Sequence, residues 1–299
     1  MSKALILVAT LAFLLAAAPA VGQDDVSGGK DRRYLIDPTG HETIQVKTRP
    51  DASGDRYRYV SEAMAEGATD EKFSQSNSLT FDVEVLGLTD LGTALRYTVR
   101  SAVVQDSATK SSEAVRKAEI DNPMDFEVGR DGTLLALGNW DDYKARYLAR
   151  IDQLLPQTDP VRARMHRLFA GDPGEVARNF VLTDLRTLMV MQITGAVPVG
   201  HIDLPEEDFP LDDGGRNRTH GTADVAAAGP CQVKIARTTI NDLTERNGTG
   251  REELATDAVV STLDGWVVTL MENKRQEHGA SHLMETLSIR RLDPPACPA

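Results

Sequence analysis

Three helix signals in a row, over residues 139–194, constrain this chain more than anything else in it. Asn139 is placed to accept hydrogen bonds from the free N–H groups of a first turn, with Asp141 and Asp142 at its favourable positive end. Trp140, Tyr143, Tyr147, Leu148, Ile151, Leu154 and Leu155 then recur at helical steps until Pro156 stops the pattern. Asp159-Pro160 starts a second helix, with proline at the position where its missing N–H costs nothing, and Val161, Met165, Leu168 and Phe169 make its apolar stripe. Asp172-Pro173-Gly174-Glu175 starts a third, with Asp172 capping forward and Glu175 reaching back. In that third segment Val176, Phe180, Val181, Leu185, Leu188, Met189 and Ile193 are apolar nearly all round, which predicts the most buried helix of the three.

Strand patterns flank these helices. Residues 43–48 alternate, and 55–64 set Tyr57 and Tyr59 against Arg56 and Arg58. Residues 65–78 are small and polar and read as a loop; 79–86 and 94–104 alternate and read as a hairpin. Residues 107–120 suit a helix or a strand, and 126–137 read as a tight hairpin around Asp131-Gly132. Downstream, 205–230 are rich in acidic residues, glycine and alanine and read as a long surface loop. Strands resume at Cys231, with Val233, Ile235 and Arg237 on one face. A second Asp-Gly hairpin, Asp264-Gly265, joins 258–262 to 266–274; 276–281 read as a turn, and 282–292 close the set. Strands, then helices, then strands predict an α+β fold: a curved, mostly antiparallel sheet built from both ends of the chain, with a three-helix insert packed on one face. The expected organisation is one domain over 42–293, preceded by an arm at 23–41 and followed by a tail at 294–299.

The first 22 residues read as a cleavable export signal: Lys3, an alanine-rich apolar run too short to span a membrane, and small residues before a cut after Gly22 or, alternatively, after Ala20. No cysteine stands there to take a lipid anchor. The expected location is therefore periplasmic or secreted, without stable membrane insertion. In that setting Cys231 and Cys297, the two cysteines of the chain, are expected to form a disulfide. With 33 basic and 45 acidic residues, the net charge of −12 argues against nucleic acid, whose phosphates require a basic surface.

The sequence holds no nucleophile elbow, no phosphate-binding or dinucleotide-binding glycine loop and no His-Glu-x-x-His, and no cofactor is expected. His278 and His282, with Glu277 and Glu285 beside them, are the nearest thing to a metal cluster, but a solvated turn explains them as well. Asp212-Asp213-Gly214 lacks the spacing of a calcium loop, and turn and cap roles account for Asp131, Asp141 and Asp142, which lie near Glu127. Trp140, Tyr143, Tyr147, Phe180 and Leu188 are the candidates for a ligand pocket, with core packing as the alternative.

A strand–helix–strand order with helices set against a curved sheet resembles the half-barrel lipoprotein and lipid carriers of the Gram-negative periplasm. That resemblance implies a sheet lidded by helices and an acyl-chain ligand. The paired hairpins at Asp131-Gly132 and Asp264-Gly265 are similar to those of exported bacterial proteins of unknown function. The expected function is non-enzymatic binding of an apolar small molecule or an envelope protein. The alternatives are a secreted hydrolase with a non-local Asp/Glu/His site and a structural protein of the envelope.

Overall fold

The computed structural model describes residues 43–47, 49–68, 72–106, 111–129, 132–210, 215–245, 248–278 and 281–297. The leader, the arm, Asp131 and the acidic pair Asp212-Asp213 lie outside the described residues. In chain order the elements are β1 (Thr43–Val46), β2 (Arg56–Ala68), β3 (Lys72–Leu88), β4 (Gly92–Asp106), α1 (Ser111–Lys117), β5 (Met124–Gly129) and β6 (Leu134–Leu137). Then come α2 (Trp140–Leu154), α3 (Pro160–Leu168), α4 (Pro173–Val176), a π turn (Ala177–Val181) and α5 (Thr183–Val190). The chain closes with β7 (Gly195–Pro198), β8 (Gly200–Pro210), β9 (Arg216–Ala227), β10 (Gln232–Glu245), β11 (Gly248–Ser261), β12 (Val267–His278) and β13 (Ser281–Arg291).

Strand makes up 57% of the described residues, with five helices among them, and this overturns the expected α+β fold with a three-helix insert. Two differences account for the correction. The first is local. α2 and α3 form where the caps predict, and Asp159 accepts from the Val161 N–H at 2.8 Å. The third segment starts as predicted, with Asp172 accepting from Glu175 N–H at 2.9 Å, but it does not stay one helix. Leu182 N–H bonds back to Ala177 C=O, a five-residue step, and α5 begins only afterwards. α1 lies upstream, within the stretch that suited helix or strand equally. The second difference is on the β side. Residues 205–230, read as an acidic loop, are largely β8 and β9, and the loop expected at 65–78 is mostly the ends of β2 and β3.

Eleven of the strands hydrogen-bond in the order β6-β5-β4-β3-β2-β13-β12-β11-β10-β9-β8, and β1 pairs with β7 apart from them. The registered pairs between these strands are antiparallel. The described chain divides into two compact units. The first holds Asp51–Arg58 and Leu79–Val190, and the second holds 43–50, Tyr59–Ser78 and Met191–Ala299.

The first unit contains every described helix. Its core joins Phe81, Val83, Leu95, Tyr97, Met124 and Phe126 from the strands to Trp140, Tyr143, Tyr147 and Ile151 of α2. Asn139 does not cap α2 through its side chain. Its Oδ1 instead accepts from Asp125 N–H at 2.8 Å and its Nδ2 donates to Pro123 C=O, so it ties the helix start to β5. The strands are pinned by Asp82, 2% exposed, which accepts from Arg58 on β2 and Arg100 on β4. Burial alone would raise the Asp82 pKa, and the two guanidiniums outweigh it and hold the carboxyl below its usual range.

The second unit consists of strands, with no helix among its described residues. The Asp264-Gly265 turn forms as the sequence predicts. Gly265 has φ +75, and a Cβ there would stand 2.4 Å from Ile193 O, so only glycine fits. Asp264 Oδ1 accepts from Trp266 N–H, and Oδ2 takes Arg291 Nη1 at 2.8 Å, a buried ion pair next to the fully buried Trp266 and Tyr59.

Candidate functional site

The five aromatic and aliphatic residues named as pocket candidates all lie in the first unit and all are buried, Trp140 at 8%, Tyr143 at 2%, Tyr147 at 0%, Phe180 at 7% and Leu188 at 1% exposure. Four of them belong to one aromatic cluster centred on Phe169. Its ring lies 4.6 Å from Tyr147, 5.5 Å from Trp140, 5.8 Å from Phe180 and 6.5 Å from Tyr143. Of the histidine candidates, His282 is exposed on β13 and pairs with Glu277, while the side chain of His278 lies outside the described residues. Among the described residues no group of three His, Cys, Asp or Glu side chains is positioned to hold a metal. Cys231 and Cys297 form a disulfide, with Cα atoms 5.6 Å apart.

A different cluster appears on one face of the second unit. Strand parity puts Leu270, Glu272, Lys274 and Gln276 of β12 on the same side as Ala258, Thr256, Leu254 and Glu252 of β11, their cross-strand partners. On β13 the partners are Ile289, Leu287, Glu285 and Leu283. One end of this face, at Ala258, Leu270 and Ile289, is ordinary apolar core. Further along the strands the same face turns polar while staying withdrawn from solvent. Glu252 is 8% exposed, and the side chains of Lys274 and Glu285 are each 15% exposed.

These polar groups form a ladder across the strands. Thr219 Oγ1 donates to Asn241 Oδ1 at 2.7 Å, and Asn241 Nδ2 donates to Glu252 Oε1 at 3.0 Å. Gln276 Nε2 donates to Glu252 Oε2, and Lys274 Nζ lies 3.2 Å from the same oxygen. Glu252 is thus closed by three donors. Lys274 also reaches Glu285 Oε2, at 3.7 Å. Burial pushes the Glu285 carboxyl above its usual pKa; Lys274 pulls it down and Glu252 pushes it further up. Glu285 Oε1 and Gln276 Oε1 are buried without a hydrogen-bond partner. On the same face of β10, burial lowers the pKa of Arg237, whose Nε donates to Thr239 Oγ1 at 3.3 Å. Buried groups of this kind are rarely left unsatisfied in a stable core, which makes this face the candidate site.

Glu119 in the first unit is the other strongly perturbed acid. Burial pushes its pKa from 4.5 up to about 7, with Asp184 adding to the rise and Arg116, 3.2 Å away, opposing it. At 2% exposure it is closed to any substrate, and its effect falls on stability. An acid whose pKa rises on folding contributes stability that is fully present below its unfolded pKa and fades as pH climbs through its folded one. The first unit is therefore expected to lose up to about 3 kcal/mol from this group between pH 5 and pH 8.5. Glu119→Gln should flatten that slope; equal slopes in thermal melts of both proteins across the range would refute the assignment.

The face on the long strands escaped the sequence reading because each strand there alternates like any half-buried strand. The available signal was local: Glu272, Lys274 and Gln276 continue the parity of Leu270 where apolar residues are expected, and Arg237 shares a face with Val233 and Ile235.

No protein-family model matches this chain, and comparison with curated protein sequences yields no match. Among solved structures the chain is similar to lipovitellin, in a structure titled for its lipid–protein interactions, at 9% identity and a TM-score of 0.49. That match covers 83% of this chain and 26% of lipovitellin, so the chain spans about a quarter of that protein's length. It is also similar to a protein with a YmcC-like fold from Bacteroides fragilis, at 10% identity and a TM-score of 0.25, over 82% of this chain and 98% of that one. An outer membrane channel from Pseudomonas putida matches at 9% identity and a TM-score of 0.16, over 86% of this chain and all of that one. None reaches a TM-score of 0.5, and the chemistry of the site has to carry the functional reading.

Proposed function

We propose that this chain is an extracytoplasmic binding protein without catalytic activity, and that it holds a small amphiphile on the polar–apolar face of β11, β12 and β13. The observation that carries this reading is the cross-strand pairing on that face. Leu254 stands opposite Lys274, Leu283 opposite Gln276 and Leu287 opposite Glu272. Buried and half-buried leucines set directly against half-buried polar groups are poor partners for one another. They suit a ligand that carries an apolar chain and a polar head. The apolar ligand expected from the sequence is kept in this reading, but its site moves from the helical aromatics to the sheet. The Cys231–Cys297 disulfide supports an oxidising compartment, and no described helix is long and apolar enough to cross a membrane.

Native mass spectrometry of the protein taken gently from its own host tests this. The wild type is expected to carry an adduct of lipid-like mass. Leu254→Gln should lose it, or bind it about tenfold more weakly, because a leucine side chain that the ligand covers contributes on the order of 1.5–3 kcal/mol to such a contact. A wild-type protein that carries no adduct and gains no thermal stability from added amphiphiles would end the proposal.

A further inference from the structure

We infer that the polar head of this amphiphile is an oxyanion, a carboxylate or a phosphate, held by the guanidinium of Arg237; this rests on the binding face proposed above. Arg237 lies on β10, next to β11, and shares that face with Thr239. The registered partners of Thr239 are Leu254 on β11 and Gly221 on β9. Arg237 Nε donates to Thr239 Oγ1 at 3.3 Å, so the side chain runs along β10 to the level of Leu254. The guanidinium therefore stands beside a leucine on which the binding proposal rests.

This cation has no counter-ion. Arg237 is half-buried, and it makes no ion pair among the described residues. Burial pulls its pKa down, and the charge of Glu207, not in contact with it, opposes that. Glu272 is level with Arg237 but two strands away, beyond Thr256. Glu252 is closed by Asn241, Gln276 and Lys274. Beyond its bond to Thr239, the guanidinium donates to no acceptor among the described residues, and its terminal nitrogens are not sealed from solvent. A charge partly withdrawn from water without a partner is unfavourable, and a bound anion removes that penalty.

The neighbours leave room for a head group. Arg237 itself is opposite Ala223 on β9 and Thr256 on β11, both short. At Gly221 a Cβ would stand 2.1 Å from Thr238 O, so no side chain fits there. The far side of that bare position is Leu204 of β8, half-buried like Leu254. The guanidinium is thus set between two leucines, with the space over a glycine open beside it. Arginine is charged at any pH the fold meets and can only donate, so its partner must accept. With Nε engaged, the two Nη groups present a parallel pair of N–H bonds that matches two oxygens of a carboxylate or phosphate. A hydroxyl head accepts one bond and leaves the charge uncompensated. An ammonium head adds a second cation and offers no acceptor. The aliphatic part of the ligand then lies against Leu204 and Leu254.

Calorimetric titration of the full chain at pH 7.5 with octanoate, octyl phosphate, octanol and octylamine tests the assignment, since the four share one chain and differ in their heads. At least one of the two anions is expected to bind about tenfold more tightly than octanol, the scale of one hydrogen-bonded charge. A tighter octanoate assigns a carboxylate head, and a tighter octyl phosphate assigns a phosphate. Arg237→Gln should abolish the preference for the anion while leaving octanol affinity within about twofold. Arg237→Lys, which keeps the charge and loses the fork, should retain part of it. Octanol or octylamine binding as tightly as both anions overturns the oxyanion assignment and leaves the binding face standing, and the wild type alone decides this. A preference that survives Arg237→Gln in full overturns it as well. Failure of all four ligands to bind overturns both the assignment and the binding face beneath it.

Discussion

Phe169→Ala is expected to destabilise the first unit by about 3–5 kcal/mol, the range for truncating a fully buried phenylalanine. Phe169 has no exposed surface and stands at the centre of four rings from two other segments of the chain, α2 and the π turn. Its stacked contacts with Trp140 and Tyr147 and its edge contact with Phe180 add to the area term, because aromatic pairs are worth more than their burial alone. None of these rings can move into the gap without leaving other partners. Tyr147 is held at its far end, where its hydroxyl donates to Val115 C=O at 3.3 Å. A domain of this size shifts by roughly 2–4 °C per kcal/mol, so the midpoint should fall by about 10 °C. Near-ultraviolet circular dichroism should lose signal from Trp140 and the tyrosines in the same variant. A shift under 3 °C with an unchanged aromatic spectrum would mean that these rings line open space, and the pocket expected there from the sequence would have to be reconsidered.

The helical signals that led the sequence reading were sound as local signals and misleading as architecture. Asp159 and Asp172 cap the helices they were expected to cap, because a cap depends on four or five consecutive residues. The break at Leu182 depends instead on how Phe180, Val181 and Leu185 find partners around a bulged turn, and no period in the sequence encodes that. β8 failed for a related reason. It is an edge strand whose residues from Glu206 to Pro210 are exposed, with two prolines and acidic side chains that blunt the edge. Composition of that kind reads as a loop, and only the pairing with β9 makes it a strand. The polar face was hidden at a third level. Alternation within β12 shows that Lys274 and Gln276 share a side, but their meeting with Glu252 and Glu285 is decided by the registers of β11 and β13. Register is a property of pairs of strands, and one sequence does not display it.

Removing the Cys231–Cys297 bridge is expected to cost the second unit about 4 kcal/mol, as large an effect as any single core substitution. The two residues are 66 positions apart in sequence, and closing a loop of that length removes a large share of the conformational freedom of the unfolded chain. The bridge also fixes what nothing else in the last turn of the chain holds by strand pairing. β13 ends at Arg291, and residues 292–297 continue without secondary structure to Cys297, which is tied back to the start of β10. Cys231 itself is 3% exposed, and its carbonyl accepts from Thr262 N–H at 2.9 Å, so the anchor point is part of the ordered strand ends. The double variant Cys231→Ser, Cys297→Ser should therefore lower the midpoint by about 10 °C, and reducing agent should lower the wild type to match it. Thiol titration of the denatured, unreduced wild type should find no free sulfhydryl. The leucines and polar groups proposed to meet the ligand lie on β11, β12 and β13 and include neither cysteine, so amphiphile binding below the new midpoint should persist in the double variant. Loss of binding with the fold intact would mean that the bridge positions the site and does more than restrain the unfolded chain.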